Sequence, residues 1–202
     1  MKTKIIILLS VLSISASAQS FQKGQVDINL GYGFGNTFID SKYDVSTPAI
    51  SGVIDFGISN SISLGVYVGQ AKAKWTVTGT DVCNNGNGNG SYSYLYVYTH
   101  EAKHLMVALR GSYHLGSVIH NDNLDAYVGL QLGNNFETDV YTLTTTPFCD
   151  KLNKLSFNNK YNDGFIWAVY TGARYRFTKH VGVFGELGYG IVIFNAGLNI
   201  KF

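Results

Sequence analysis

The alternation of apolar and polar residues is clearest over residues 192–202. The even-numbered positions carry Val, Phe, Ala, Leu, Ile and Phe, whereas the odd-numbered positions after Ile193 carry Asn, Gly, Asn and Lys. A side-chain period of two predicts a β-strand with one apolar face and one narrow, mostly polar face. This strand ends on an aromatic residue, Phe202.

The same pattern recurs along the chain and predicts eight strands. They cover residues 25–35, 50–59, 62–75, 101–115, 124–136, 164–177, 181–189 and 192–202. Each strand is close to or above the roughly 9–11 residues that a tilted strand needs to cross a bilayer. The parity slips after Val68, because Ala71, Ala73 and Trp75 fall on the polar parity. A β-bulge, or a strand leaving the membrane at this point, would explain the slip.

The predicted connections alternate between short and long. The short ones are residues 60–61, 116–123, 178–180 and a tight turn near Gly190, and the long ones are residues 36–49, 76–100 and 137–163. Short turns at one end and long loops at the other are typical of a membrane-spanning, antiparallel up-and-down β-barrel. We therefore predict an all-β, eight-stranded barrel with long extracellular loops. In such barrels the insertion machinery reads the last strand, so Phe202 is the expected C-terminal insertion signal.

The first residues predict export. Lys2 and Lys4 precede an apolar stretch from residue 5 to residue 14, and Ala16-Ser17-Ala18 forms a small-residue cleavage site. This order is that of a signal peptide covering residues 1–18, which leaves residues 19–202 as the barrel domain. The apolar stretch is too short for a transmembrane helix.

Composition agrees with a lipid-facing protein. Charged residues make up 14% of the sequence, against about 25% in typical soluble domains. Residues 1–18 hold two of the 15 basic and none of the 13 acidic residues, so the remainder has a formal net charge of zero. This balance does not favour a nucleic-acid partner. A secreted, lipocalin-like barrel is the soluble alternative, but its outer face should be rich in Lys, Glu and Thr.

The chain resembles the small outer-membrane β-barrel, or porin-like, family of Bacteroidetes-type bacteria. The resemblance rests on the signal peptide, on Phe184-Gly-Glu-Leu-Gly-Tyr-Gly190 and on the ending Gly197-Leu-Asn-Ile-Lys-Phe202, and it covers residues 19–202. It implies a monomeric barrel in the outer membrane of a Gram-negative bacterium, in contact with outer-membrane lipid, lipopolysaccharide and the barrel-assembly machinery. It implies little about activity, because the family is defined by its fold.

The polar face of the strands would line a barrel interior that side chains largely fill. The residues placed there by parity are Asp27, Asn29, Asp55, Tyr67, Arg110, Gln131, Tyr170, Arg174, Arg176, Glu186, Asn195, Asn199 and Lys201. Buried charges need partners, and hairpin register brings Glu186 close to Arg174, with Arg110 in reach from the other side. We expect Arg110, Arg174, Arg176 and Glu186 to form an ion-pair network that locks the barrel. A selective pore through the same charges is the alternative.

Two features fall in the predicted long loops. Cys83 and Cys149 would form a disulfide in an oxidising compartment, and neither has a Cys or His at metal-ligand spacing. Tyr92, Tyr94, Tyr96 and Tyr98 share one parity after a Gly- and Asn-rich stretch. They predict either an aromatic girdle at the membrane interface together with an extension of the strand, which is the favoured interpretation, or a ridge that contacts carbohydrate or protein, carried on a strand that projects above the membrane.

Catalytic patterns are weak. No nucleotide-binding, calcium-binding or Gly-x-Ser-x-Gly motif is present. The positions of the five His residues indicate no catalytic triad with a Ser and a carboxylate. We therefore predict a non-enzymatic protein without a cofactor or a metal. Its expected role is structural, or interaction with an unidentified extracellular ligand through the long loops. A passive channel for small solutes or ions is the alternative.

Overall fold

The computed structural model describes residues 21–36, 44–84, 91–116, 121, 123–145, 161–189 and 192–202. Eight strands run through them: β1 (Val26–Asn36), β2 (Asp44–Gly57), β3 (Ile62–Asn84), β4 (Ser91–His114), β5 (Leu124–Thr145), β6 (Tyr161–Arg176), β7 (Val181–Tyr189) and β8 (Val192–Lys201). Each strand pairs antiparallel with its neighbours in sequence, and β1 also pairs with β8. The predicted fold class, a closed eight-stranded antiparallel barrel, is confirmed.

The outer face of the barrel is apolar. Alternate side chains on the strands leave large hydrophobic groups exposed, as the period-two pattern requires. Among them are Leu30, Phe56, Leu64, Leu109, Leu130, Trp167, Leu187 and Leu198. A continuous apolar belt of this kind would be a liability in water, and it is the surface that lipid solvates. Among the described residues, no helix is long and apolar enough to cross a membrane.

The strands differ strongly in length. The strands β3, β4 and β5 contain 23, 24 and 22 residues, whereas β7 and β8 contain 9 and 10. The prediction of long loops at residues 76–100 and 137–163 is therefore partly wrong. Much of each stretch continues the sheet, because the β3–β4 and β4–β5 ladders do not stop where the apolar belt ends.

The three long strands pass beyond the belt. On the outer face of β3, Val68 is followed by Gln70, Lys72 and Lys74, so the lipid-facing pattern ends there. We call the part of β3, β4 and β5 beyond this level the sheet extension. It defines the long-strand end of the barrel, and the connections β2–β3, β4–β5 and β6–β7 lie at the opposite, short-turn end.

The parity slip on β3 has a simple explanation. Ala71 and Ala73 are almost fully buried, so they continue the inner face on which Tyr67 lies. The β3–β4 register runs unbroken from Ile62 to Asn84, which excludes a bulge in β3 on this edge. The register shifts occur instead in β2, between residues 45 and 50. Small apolar residues on the inner face, rather than a change of face, produced the slip.

The interior has two zones. Towards the short-turn end it is filled by charged and polar side chains. Towards the long-strand end it contains an apolar cluster formed by Ala49, Val53, Tyr67, Ala71, Met106, Ala108 and Ala168. Buried Asn135, the register partner of Met106, and His104 lie beside this cluster and are 3.1 Å apart. Side chains of both zones are buried in the barrel interior.

Candidate functional site

The polar zone is organised around Arg174. Its guanidinium is fully buried and binds Asp55 on β2, with longer contacts of 3.4 Å to Asp27 on β1 and Asp125 on β5. Arg176 lies two residues further along β6 on the same face, and it contacts the same Asp27 and Asp125 at 3.4 and 3.8 Å. Three carboxylates from three strands therefore surround two guanidinium groups from a fourth.

A second pair lies next to this cluster. Arg110 donates to Glu186 at 2.7 Å and approaches Asp55 at 3.2 Å. Glu186 also accepts a hydrogen bond from the hydroxyl of Tyr127 at 2.8 Å. Hairpin register predicts that Glu186 lies close to Arg174, but Glu186 forms its ion pair with Arg110 across the barrel interior. Hairpin register described only neighbouring strands, whereas long arginine side chains bridge the barrel.

Aromatic rings cover the two central arginines. The guanidinium of Arg110 lies 4.2 Å from the ring centre of Tyr170, and that of Arg174 lies 4.5 Å from the ring centre of Tyr127. Cation–π contacts of desolvated arginine contribute about 2 kcal/mol. The rings also exclude water from the ion pairs, which strengthens their attraction. The four predicted network residues thus share one buried cluster, together with Asp27, Asp55, Asp125 and two tyrosines.

Asp125 is a member that parity alone should have found. It occupies the inner face of β5 two residues before Tyr127, and it is fully buried. The predicted fifth strand began at Leu124, but its pattern was read from Ala126 onwards, so the acidic residue at the strand end was missed. The remaining inner polar residues behave as predicted in placement: Asn199 donates to Asp27 at 3.0 Å and to Asn29 at 2.8 Å.

A Ser–His–Asp chain lies at the short-turn end. Ser63 is 3.0 Å from Nε2 of His114, and Nδ1 of His114 is 2.9 Å from Asp125. This order of bonds is the one that activates a nucleophilic serine in hydrolases. The sequence alone shows no triad, because the three residues come from three strands without a local motif.

The Ser63–His114–Asp125 series is closed to substrate. Ser63 and Asp125 have no exposed surface, and the ring of Phe21 stacks on His114 with 3.6 Å between centres and 4° between planes. Asp125 is also engaged by Arg174 and Arg176. His114 and Asp125 therefore connect Phe21 to the charge network. Ser63 is buried and has no access to the carbonyl group of a substrate.

The apolar zone lies between the charge network and the sheet extension, and its members are at most 4% exposed. The cavity bordered by Tyr67, Gln131, Tyr170, Glu186 and Asn195 holds about 20 Å³, which is the room for about one water molecule.

The sheet extension carries a row of rings on its inner side. Trp75 of β3 packs edge-on against Tyr98 of β4, Tyr98 stacks on Tyr141 of β5, and Tyr141 stacks on His100 at 4.3 Å. His100 in turn is 2.8 Å from the carboxylate of Asp139. We call Trp75, Tyr98, His100 and Tyr141 the aromatic row.

This row corrects the girdle part of the favoured interpretation of the tyrosines, whereas the expected strand extension is confirmed by β4. Tyr98 and Tyr96 share the inner parity of β4 with His100 and His104, and they lie beyond the apolar belt. An aromatic girdle requires rings that face lipid, so these two residues do not form one. The side chains of Tyr92 and Tyr94 lie outside the described residues.

Other predicted site residues are placed as follows. The side chain of Cys83 and the whole of Cys149 lie outside the described residues, so the disulfide stays a prediction. Phe202 is exposed on the outer face, and its backbone exchanges hydrogen bonds with Val26 of β1. Within the described part of the chain, no group of three or more His, Cys, Asp or Glu residues is arranged to hold a metal ion.

Comparison with known proteins identifies the fold. No family model matches the sequence, and no curated protein matches it. Solved structures do match. The N-terminal β-barrel domain of Pseudomonas aeruginosa OprF aligns with a TM-score of 0.54 and 12% identity, over 89% of this chain and 98% of that domain. The outer membrane protein OprG of the same bacterium aligns with 0.51 and 14%, over 92% and 99%.

The attachment invasion locus protein Ail of Yersinia pestis aligns with a TM-score of 0.50 and 10% identity, over 90% of this chain and all of Ail. The fold is that of a small outer-membrane β-barrel. Together with the apolar belt, it indicates the outer membrane of a Gram-negative bacterium as the protein's location. At these identities the likeness concerns the fold alone. The neighbours come from Pseudomonas and Yersinia, so the narrower resemblance to a Bacteroidetes-type family stays a prediction.

Proposed function

We propose that this protein is a non-conducting, non-enzymatic outer-membrane barrel that acts through its long-strand end as a surface-interaction module. The observation that carries the proposal is the difference between the barrel interior and the long-strand end. The interior is filled by an ion-pair network and an apolar layer, whereas three strands continue far past the belt and carry the aromatic row. The first feature supports a structural barrel, and the second supports contact with a partner outside.

The proposal includes the protein's surroundings. The belt lies in outer-membrane lipid and lipopolysaccharide, the short-turn end faces the periplasm, and the protein acts as a monomer without a cofactor. The barrel-assembly machinery inserts it through the strand that ends at Phe202. Trp75 is 38% exposed at the end of the aromatic row. An exposed ring that is held by neighbouring rings binds sugar rings or protein side chains at low cost in side-chain entropy.

Conductance separates the proposal from the channel alternative. Purified protein in a planar lipid bilayer is expected to give no steady conductance, and neutralising Arg110, Arg174 or Glu186 is expected to give none either, provided the barrel stays folded. Steady conductance of the natural protein that changes when these charges are removed would establish the channel and refute the closed barrel.

The surface role is tested on cells. A strain that displays the protein is compared with a strain carrying Trp75→Ala and Tyr141→Ala, for binding to an array of purified polysaccharides and extracellular-matrix proteins. Trp167→Ala is the matched control, because Trp167 is a lipid-facing residue of the belt with 52% exposure. We expect the first pair of changes to abolish binding and the control to retain it. Absence of binding by the natural protein across the array would contradict the surface role.

A further inference from the structure

An open depression of about 750 Å³ lies at the short-turn end of the barrel. Its walls come from the end of β6, the β6–β7 turn, the end of β8 and the two connecting segments that carry Gln22 and Asn123. Four basic residues line it, namely Arg176, Lys179, His180 and Lys201. None of the described residues that line it is acidic.

The turn that carries two of these residues is held rigidly. The Thr178 hydroxyl oxygen accepts hydrogen bonds from the backbone N–H of His180 and of Val181, at 3.3 and 3.0 Å. The backbone N–H groups of Phe177 and Thr178 both donate to the carbonyl oxygen of Val181. Lys179 is therefore presented from a fixed turn, which reduces the entropy lost when it binds a ligand.

His180 and Lys201 are fastened to each other. The Lys201 backbone N–H donates to the His180 carbonyl oxygen at 2.8 Å. The Lys201 carbonyl oxygen lies 3.0 Å from Nδ1 of His180, and a carbonyl only accepts, so Nδ1 carries the proton. This bond fixes the orientation of the ring and leaves Nε2 outside it; Nε2 donates to a phosphate oxygen when the imidazole is protonated.

The carboxylates of the interior are turned away from this depression. Asp27 and Asp125 have no exposed surface and contact Arg176 from inside the barrel. Arg176 is itself 4% exposed and engaged by these two carboxylates, so the charged groups that a ligand would meet are mainly the ammonium groups of Lys179 and Lys201. Convergent basic groups from separate segments are the arrangement that binds phosphate.

We propose that this depression is a binding site for a phosphate group on the periplasmic side of the membrane. Phe177 and Phe202 lie at the same rim and are 64% and 68% exposed, which is the position of rings at a membrane interface. The rim thus lies at the depth of phospholipid headgroups. The phosphate belongs either to a headgroup that reaches over the rim or to a soluble phosphate of the periplasm. The proposal does not depend on the surface role of the other end.

The test is a titration followed by nuclear magnetic resonance. Protein in dodecyl maltoside, which contains no phosphate, receives inorganic phosphate while sodium chloride keeps the ionic strength constant. The backbone amide signals of Lys179, His180 and Lys201 report binding. We expect saturable shifts that are confined to this end of the barrel, and at least a tenfold weaker response for Lys179→Gln combined with Lys201→Gln. Lys74→Gln, at the exposed long-strand end, is the matched charge control and should titrate like the natural protein.

Nanodiscs of phosphatidylglycerol distinguish the two sources. If a headgroup occupies the depression, the three amide signals already lie at their phosphate-bound positions there, and added phosphate moves them no further. If the ligand is soluble, the phosphate titration repeats in nanodiscs. The proposal is overturned when neither medium gives a saturable response, or when the double variant titrates like the natural protein. Lys179→Gln alone, on an exposed turn, repeats the comparison should the double variant not fold.

Discussion

Arg110 and Glu186 form a 2.7 Å ion pair across the barrel interior although 76 residues separate them in the chain. The side chain of Arg110 has no exposed surface, and that of Glu186 is 8% exposed. A buried ion pair adds little net stability compared with a well-packed apolar pair, because both groups lose their hydration. Its main effect appears when one partner is removed, since either charge alone is strongly unfavourable in this buried environment.

Removing one partner of this pair should therefore destabilise the barrel. We expect Glu186→Leu to lower the free energy of unfolding by about 3–5 kcal/mol, because Arg110 is left with an incomplete set of partners. Arg110→Met combined with Glu186→Leu should recover part of that loss. The measurement is urea-induced unfolding in lipid vesicles, followed by tryptophan fluorescence.

The exposed pair Lys103–Glu101 supplies the control. Its atoms are 3.7 Å apart and both side chains are substantially exposed. Glu101→Gln should change the free energy of unfolding by less than about 1 kcal/mol. Equal effects of Glu186→Leu and Glu101→Gln would show that the buried network does not stabilise the barrel.

Ser63 should be unreactive towards electrophiles in the natural protein. Because Phe21 covers His114 and the serine is fully buried, we expect no labelling of Ser63 by a fluorophosphonate. Accessibility can be measured directly with Ser63→Cys in a background in which both natural cysteines are replaced by serine. Phe21→Ala should raise the rate of maleimide labelling of that cysteine at least tenfold. Fluorophosphonate labelling of the unaltered protein at Ser63 would instead reveal a hydrolase and contradict the non-enzymatic assignment.

Gly129 is predicted to be intolerant of a side chain. A Cβ atom at this position would collide with the hydroxyl end of Tyr170, the ring that covers Arg110, and with the backbone of Gly111. We expect Gly129→Ala to cost about 1–3 kcal/mol of unfolding free energy through forced repacking. Gly111→Ala is the matched control, because its Cβ would meet only Leu64, at an ordinary contact distance of 3.6 Å. Similar stability of the two variants would argue against tight packing of Tyr170.

The predicted disulfide has a direct assay. Peptide mass spectrometry of protein isolated without reductant should recover Cys83 and Cys149 in one linked peptide pair. Reduction should separate the pair and leave the barrel folded, because the β1–β8 ladder that closes the barrel contains neither residue. Recovery of two free thiols would refute the disulfide.

The sequence predicted the fold well because one physical signal dominates a barrel. A side chain either faces lipid or faces the interior, and alternation along each strand records the choice without reference to distant residues. Val181–Tyr189 was predicted with the bounds that the structure has. Where apolar residues also occupy the inner face, as at Ala71 and Ala73, the signal fails and the strand is cut short.

The candidate site was only partly predictable. Parity placed Arg110, Arg174 and Glu186 inside, but the choice of partner depends on which side chains meet across the interior. Local spacing carries no information on that. The Ser63–His114–Asp125 chain and the aromatic row were missed for the same reason, since each joins three strands through contacts that only the closed barrel creates.

Arg174 on β6 is bonded to carboxylates on β1, β2 and β5, so the network ties β6 to β1 and β2, two strands with which it shares no backbone ladder. A pulling force on a terminal strand would ordinarily unzip a barrel one hairpin at a time. Here the first strand to leave would have to extract Asp27 from beneath two guanidinium groups on the opposite wall. We therefore expect force-driven extraction of β1 from the membrane to be a single high-force event that takes the remaining strands with it, rather than a ladder of small steps.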